Sequence, residues 1–207
     1  TTSHPNKLVA HGAIKVDGLA KSDLNVKAIN TNGTSTAQTT TGLQNGILIS
    51  NNGANTRKVL VDGSSADLKG TVRSDATATA ITHGRGTATA SAQAVNPDSS
   101  SSSFGGQKIG VSVDNAAVDS KLTIDGKAIS SFDVDARTRK GSATSTATEL
   151  QVTGVLAKNL TGSKIDIKGL AKVNQNAKSI THTGNATATL ISGPDFTNAS
   201  FNGPRLD

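Results

Sequence analysis

Four histidines are the first residues to examine for catalysis or metal binding: His4, His11, His83 and His182. None has a His or Asp partner at the spacing of a catalytic or metal-binding set. His83 and His182 occupy matching positions in two Ile-Thr-His segments, which favours a role in a turn over a paired metal or pH-sensing role. The absence of Cys excludes disulfides and thiolate ligands. We therefore expect no catalytic residue, no metal site and no cofactor.

Two other patterns contain residue types that bind ligands but lack the context that such chemistry needs. Asp133 and Asp135 are two residues apart on a predicted strand, which places both carboxylates on its outer face, ahead of Arg137. This spacing favours a solvated row of ion pairs over a calcium site, since no Asp-x-Asp-x-Asp-Gly loop is present. The Gly-rich segments 84–86 and 105–106 lack the Lys-Ser/Thr of a phosphate-binding loop. We interpret both as turns.

Basic residues outnumber acidic ones by 21 to 15, which gives a net charge of +6. The Lys and Arg residues are scattered singly among Asp, and no aromatic stacking platform accompanies them. This pattern predicts a diffuse surface charge that attracts anionic polysaccharide or extracellular DNA only weakly. No run approaches the roughly 18 apolar residues of a membrane helix, so we expect no membrane span. Glycosylation sequons begin at Asn32, Asn159, Asn185 and Asn198 and arise readily by chance in a chain rich in Asn and Thr.

Small residues dominate the composition. Thr, Ser, Ala and Gly number 27, 23, 26 and 21, so they fill 97 of 207 positions, and the only aromatic residues are four Phe. Large side chains supply most of the burial energy of a compact protein, roughly 1.5–3 kcal/mol each. The composition therefore predicts a thin core and argues against an enzyme. It is also typical of secreted bacterial surface proteins, so we expect an extracellular or cell-surface location.

The chain contains four repeat units. Residues 18–42 align with residues 169–193 without a gap and with 11 identities in 25. A third copy is predicted from Ile124, and a fourth from Val61 with a longer insert before its turn. In three units the first Gly and the turn Gly are fifteen residues apart: Gly18 and Gly33, Gly126 and Gly141, Gly169 and Gly184.

Alternating hydrophobicity predicts β-strands in every unit. The first strand places paired apolar residues on the core face: Ile14 and Val16, Val59 and Val61, Leu122 and Ile124, Ile165 and Ile167. A second strand alternates in the same way, with Leu24, Val26 and Ala28 in one unit and Phe132, Val134 and Ala136 in another. A Gly turn and a returning strand of Ala or Ser alternating with Thr follow. Short apolar segments predict one more strand, at 47–49, 109–113 and 155–156.

These elements predict an all-β fold in which repetitive β-hairpin units form a β-solenoid or a stacked β-sheet around a thin core of small residues. A β-sandwich with strand addition between subunits is the alternative. Residues 98–106 are rich in Ser and Gly and predict a linker or an exposed loop. The predicted organisation is units 1 and 2 in residues 1–97 and units 3 and 4 in residues 107–207.

Thr-x-Thr pairs recur along the predicted strands. Residues two apart on a strand face the same way, so stacked units present a ladder of Thr side chains. The predicted exposed ladder comprises Thr77, Thr79, Thr87, Thr89, Thr144, Thr146, Thr187 and Thr189. Ice-binding β-solenoids use such arrays, while the ordinary β-propensity of an exposed face is the interpretation that we favour.

Two segments resemble the fibre subunits of bacterial biofilms. Residues 174–186 and 198–203 contain Asn-Ala steps, one of them within Ile-x-x-x-Gly-Asn-Ala, in a cadence that resembles that of curli-like and Fap-like proteins. The resemblance implies a secreted subunit that stacks end to end into extracellular fibres.

The predicted function is accordingly that of a non-enzymatic structural subunit of an extracellular fibre or biofilm matrix, with other copies of itself as its partner. Assembly is expected through β-edge or terminal-strand contacts, because open strand edges gain stability from neighbours. The candidate contact residues lie near the two termini: Leu8, Val9, Ile14, Phe196 and Phe201. We expect both Phe to insert into an apolar groove of the next molecule. The alternative is a monomeric surface binding module, either a glycan-binding adhesin or an ice-binding β-solenoid.

Overall fold

A computed structural model describes ten segments of the chain: residues 9–10, 12–42, 44–50, 57–61, 64–94, 108–114, 116–149, 152–158, 160–192 and 205–206. These residues form β-structure throughout, and no helix occurs among them. The predicted all-β class is therefore confirmed.

Eleven strands follow one another within the described segments. They are β1 (Val9–Ala10), β2 (Ala13–Asn30), β3 (Gly33–Thr41), β4 (Gln44–Ser50), β5 (Arg57–Val61), β6 (Ser65–Ala94), β7 (Lys108–Asp114), β8 (Ala116–Glu149), β9 (Thr153–Lys158), β10 (Thr161–Ser192) and β11 (Arg205–Leu206). Strands β6, β8 and β10 have 30, 34 and 32 residues, so each contains both predicted long strands of a unit and the turn between them.

Equivalent strands of successive units pair in parallel. In the larger sheet β2 and β3 both pair with β6, β6 pairs with β8, and β8 pairs with β10. In the smaller sheet β4, β7 and β9 pair in the same order. We therefore define unit 1 as β1–β4, unit 2 as β5–β7, unit 3 as β8–β9 and unit 4 as β10. The four units form a stack in chain order.

The two arms of each unit form an arch and not a hairpin, which corrects the predicted pairing. The first arm, such as β2, pairs with the first arm of the next unit, and the return arm, such as β3, pairs with the next return arm. The arms of one unit instead face each other with their side chains. The turn glycines Gly33, Gly86, Gly141 and Gly184 all have positive φ, from +99° to +151°, as predicted for the turn. An arch and a hairpin need the same turn residue, which is why the sequence alone does not separate them.

An Ala-rich core lies between the two arms. Its buried residues are Ala37, Ala76, Ala78, Ala80, Ala88, Ala90, Ala92, Ala94, Phe132, Val134, Ala136, Ala143 and Ala147, with Leu24 and Ala28 packed against them. The predicted inward alternation of Ala in the return arm is confirmed. Side chains of this size hold the arms close together, so the core is as thin as the composition predicts.

A second core lies where the start of each first arm packs against the smaller sheet. It contains Ile47, Ala66, Leu68, Val111, Val113, Leu122, Ile124, Val155 and Ala157, with Ile14, Ile49, Leu160, Ile165 and Ile167 partly buried. The apolar segments predicted as a further strand are thus confirmed as β4, β7 and β9. Residues Gly126 and Gly154 mark the closest approach, because a Cβ at Gly126 would lie 1.9 Å from the carbonyl oxygen of Gly154.

The register of unit 2 differs from the one that the sequence predicts. Ala66 and Leu68 pair with Ile14 and Val16, so they hold the places predicted for Val59 and Val61. In the same register Gly70 pairs with Gly18. Unit 2 therefore needs no long insert before its turn, only a local irregularity between Thr82 and Arg85.

Both sheets continue across the predicted linker, residues 98–106, which lies outside the described residues. Strand β6 pairs with β8, and β4 pairs with β7. Strand β7 completes unit 2, although the predicted boundary at residue 107 assigns it to the second half. At the C-terminus, β11 pairs antiparallel with β9 of its own chain.

Candidate functional site: the open ends of the stack

The two ends of the stack expose long strand edges. Within the described residues, β2 and β3 pair with β6 alone, and β10 pairs with β8 alone. Each end therefore presents the unpaired N–H and C=O groups of a complete arch. An unpaired edge of this length is a template for another strand.

The exposed large apolar residues of the described chain all lie in units 1 and 4. They are Val16, Leu19, Val26, Ile29, Leu48, Leu170, Val173, Ile180, Leu190 and Ile191. Leu19 is the most exposed at 70%. The large apolar residues of units 2 and 3 that lie in the two cores are instead buried. Apolar exposure thus coincides with the two open edges, which is the distribution expected of an interaction surface.

These exposed residues fall into two groups. Val16, Val26, Val173 and Leu190 lie on the inward face of their arms and are exposed because the stack ends there. Leu19, Ile29, Leu170, Ile180 and Ile191 lie on the outward face of the arms, and Leu48 lies on the outward face of β4, opposite to Ile47 and Ile49. Sequence reasoning missed the second group, although Leu and Ile at outward positions, among Lys, Asp and Asn, were a signal that could have identified it.

The predicted assembly residues are placed in part by the structure. Ile14 lies in the terminal unit and packs against the second core of its own chain. Val9 lies in β1, which pairs with β5. Leu8, Phe196 and Phe201 lie outside the described residues. The groove predicted for the two Phe therefore stays a prediction.

The predicted Thr ladder lies on the outward faces of both arms. Thr36, Thr89, Thr144 and Thr187 occupy one register position through all four units. Thr87 stacks between Thr34 and Ser142, and Thr146 stacks between Ser91 and Thr189. Thr77 and Thr79 lie on the first arm, apart from the others. Most of these side chains are half-buried by their neighbours, and Thr187 is exposed.

A buried ion pair lies between the smaller sheet and the return arms. The Lys108 ammonium lies 3.3 Å from a carboxylate oxygen of Glu149, and the two side chains are 0% and 1% exposed. Lys108 Nζ also donates a hydrogen bond to Thr41 Oγ1 at 2.9 Å and lies 5.0 Å from the ring centroid of Phe132. Burial lowers the pKa of Lys108, while the charge and the hydrogen bond of Glu149 oppose this shift. Lys108 of β7 thus contacts unit 3 through Glu149 and unit 1 through Thr41.

The carboxylates and histidines considered for chemistry lie on the surface. Asp135 accepts hydrogen bonds from Arg137 Nε at 2.8 and 2.9 Å, and this pairing raises the pKa of Arg137. Asp133 accepts one from Asn176 at 2.9 Å. One ion pair of the predicted row, between Asp135 and Arg137, is therefore present. His83 and His182 are exposed and lie in units 2 and 4, with unit 3 between them.

Within the described segments, no group of three or more His, Cys, Asp or Glu is placed to hold a metal ion. Those segments also contain no helix that is long and apolar enough to cross a membrane.

The chain matches no known family, no curated protein and no solved structure.

Proposed function

We propose that this protein is the structural subunit of an extracellular fibre or biofilm matrix and that it polymerises through the open edges of units 1 and 4. The observation that carries the proposal is the coincidence of unpaired strand edges with exposed apolar side chains at both ends of the stack. Stacked repeats need a terminal unit with a polar outer face to remain single. In the described residues of units 1 and 4, the outer face contains exposed apolar side chains instead.

The energetics of the arch favour assembly. Eleven of the thirteen buried residues in the core between the arms are Ala, which contribute little burial energy each. A further unit on each open edge would pair its backbone groups and cover its apolar side chains. Fully burying a Leu or Ile contributes about 1.5–3 kcal/mol. Several such residues at each end supply a substantial driving force for stacking.

Edge stacking and terminal-strand exchange are the two routes to a fibre. The described C-terminal residues Arg205 and Leu206 pair with β9 of their own chain, which supports the edge route. Deletion of residues 195–207 distinguishes between these two routes of assembly. Filaments from the truncated protein support stacking through the edges, whereas a folded subunit that no longer elongates supports an exchange of the tail.

Negative-stain microscopy of purified variants tests the proposal itself. The change Leu170→Asp with Ile180→Asp places charge on the edge of unit 4 and should raise the concentration needed for filaments by at least about tenfold, since 1.4 kcal/mol is a factor of ten. The matched control is Thr71→Asp with Ile81→Asp, which changes the same two register positions in unit 2. It should form filaments as the wild type does. Uniform single particles from the wild type at every concentration would refute the proposal.

The Thr column supports a second candidate, a binding module that uses the outward face of the return arms. Thr36, Thr89, Thr144 and Thr187 form an unbroken column, and Thr40 and Thr148 lie four residues further along the same face. An ice-binding surface requires such a regular, flat array. Measurable thermal hysteresis that is lost in Thr89→Lys with Thr144→Lys would support this candidate, and its absence in the wild type would exclude it.

A further inference from the structure

Resting on the proposed function, we infer that subunits join head to tail, with β10 of one subunit pairing in parallel and in register with β2 and β3 of the next. In this register Gly169 and Gly184 meet Gly18 and Gly33 of the neighbouring subunit. The offset is the one at which residues 18–42 and 169–193 align without a gap.

The first support is a difference between terminal and internal units. One register position holds Leu19, Thr71, Lys127 and Leu170 in units 1 to 4. Leu thus occurs at both ends and a polar residue in both internal units. At a head-to-tail junction Leu170 contacts Leu19 of the next subunit, so these two exposed apolar side chains cover each other.

A second register position is also apolar at both ends, although only one of its two internal residues is polar. It holds Ile29, Ile81, Arg137 and Ile180. Ile29 and Ile180 are 54% and 42% exposed. The proposed junction places them side by side, ten residues along the arm from the Leu pair, so two apolar contacts fix the register between the subunits.

The charges favour this register at two positions and oppose it at two others, where Lys172 and Lys178 face Lys21 and Lys27 of the next subunit. One outward register position holds Asp17, Lys69, Asp125 and Lys168, so its sign alternates from unit to unit. Because the stack has an even number of units, Lys168 meets Asp17 of the next subunit, and the alternation continues through the junction. At the neighbouring position Asp166 meets Lys15 in the same way. Opposite charges at facing positions of paired strands are stabilising.

The polarity of this contact determines the form of the assembly. Units 1 and 4 are different surfaces, so the contact is heterologous and leaves an open edge at each end of every oligomer. Heterologous contacts whose rotation does not close a ring generate filaments. The open-ended fibre of the proposed function is therefore the expected product.

Disulfide trapping tests the junction, and the chain provides a clean background because it has no Cys. Variants Leu19→Cys and Leu170→Cys are prepared separately, mixed and oxidised. In-register neighbours lie about 4.8 Å apart, within the Cα separation of a disulfide. Within one subunit the two positions are three units apart, about 14 Å, which is too far. We expect at least about tenfold more cross-linked dimer from the mixture than from either variant alone.

The matched control mixes Leu19→Cys with Ile180→Cys, which the proposed register separates by about 33 Å. It should give no more dimer than the single variants. The mixture of Ile29→Cys and Ile180→Cys should also give cross-linked dimer. It tests the same register independently if Leu19→Cys or Leu170→Cys prevents assembly. Filaments that cross-link equally in the single variants, or in the mismatched mixture, would overturn the junction but leave the fibre function intact. A wild type without filaments would overturn both.

Discussion

The Lys108 ammonium on β7 of unit 2 lies 3.3 Å from a carboxylate oxygen of Glu149 on β8 of unit 3, and both side chains are buried. Glu149 is the only Glu in the chain. Removing one member of a buried pair leaves a charge without compensation, which costs about 3–5 kcal/mol. We predict a loss of this size in the free energy of unfolding for Glu149→Leu, measured by urea denaturation.

The control for the buried pair is the double change Lys108→Met with Glu149→Leu. Replacement of both charges by apolar groups of similar volume is often neutral, so the double variant should recover most of the lost stability. If the double variant loses as much free energy of unfolding as the two single variants together, the two side chains contribute through packing alone.

The pH dependence of Glu149→Gln gives a second prediction. This change removes the Glu149 charge, which raises the pKa of Lys108, and leaves burial, the largest cause, which lowers it from 10.5. Between the lowered pKa and the ordinary value, the unfolded chain binds more protons than the folded one, so the free energy of unfolding rises with pH. We predict that Glu149→Gln gains stability relative to the wild type as the pH rises from the lowered pKa of Lys108 toward 10.5. A constant difference over this interval would contradict the prediction.

The close approach of the two sheets predicts the effect of Gly126→Ala. The new Cβ would lie 1.9 Å from the Gly154 carbonyl oxygen, so the sheets must move apart. Overpacking of this kind costs about 1–3 kcal/mol, which thermal unfolding would detect. Gly169→Ala changes the same register position in unit 4, where the residue is exposed. It should cost less, and equal losses would show that the sheet contact does not matter.

The two faces of the return arm predict opposite responses to a larger side chain. Thr144 and Thr146 face outward, so changing both to Leu should alter the free energy of unfolding by less than about 1 kcal/mol. Ala143 is 0% exposed in the core between the arms, so Ala143→Leu should cost about 1–3 kcal/mol. The reverse order of effects in thermal melts would mean that the faces are exchanged.

The sequence predicts local features of the fold because alternation and turn chemistry are local. The inward placement of Phe132 and Val134, the positive-φ turn at Gly141 and the short strand β9 all follow from residue order. The pairing of the arms does not, since a hairpin and an arch share the same alternation and turn Gly. Only the hydrogen-bond partners differ, and these lie about fifty residues away along the chain, as Gly33 and Gly86 do.

Unit 2 shows how a short match misleads. Val61-Asp62-Gly63 has the same letters as Val16-Asp17-Gly18, yet the structure pairs Gly18 with Gly70. Gly70 is the residue that lies against Gly110 of the smaller sheet. Since this contact joins residues 40 positions apart, no local pattern reveals it. The pair between Lys108 and Glu149 escapes sequence reasoning for the same reason.

The axial repeat of the filament tests the central claim most directly. Four parallel units stacked in register at about 4.8 Å each give a rise of about 19 Å per subunit along the fibre axis, with strands perpendicular to that axis. Helical reconstruction by electron cryomicroscopy measures both quantities. A rise of about 19 Å, with β10 of one subunit beside β2 of the next, is the predicted result. A protein that stays monomeric, or filaments in which the edges of units 1 and 4 remain unpaired, would contradict the account.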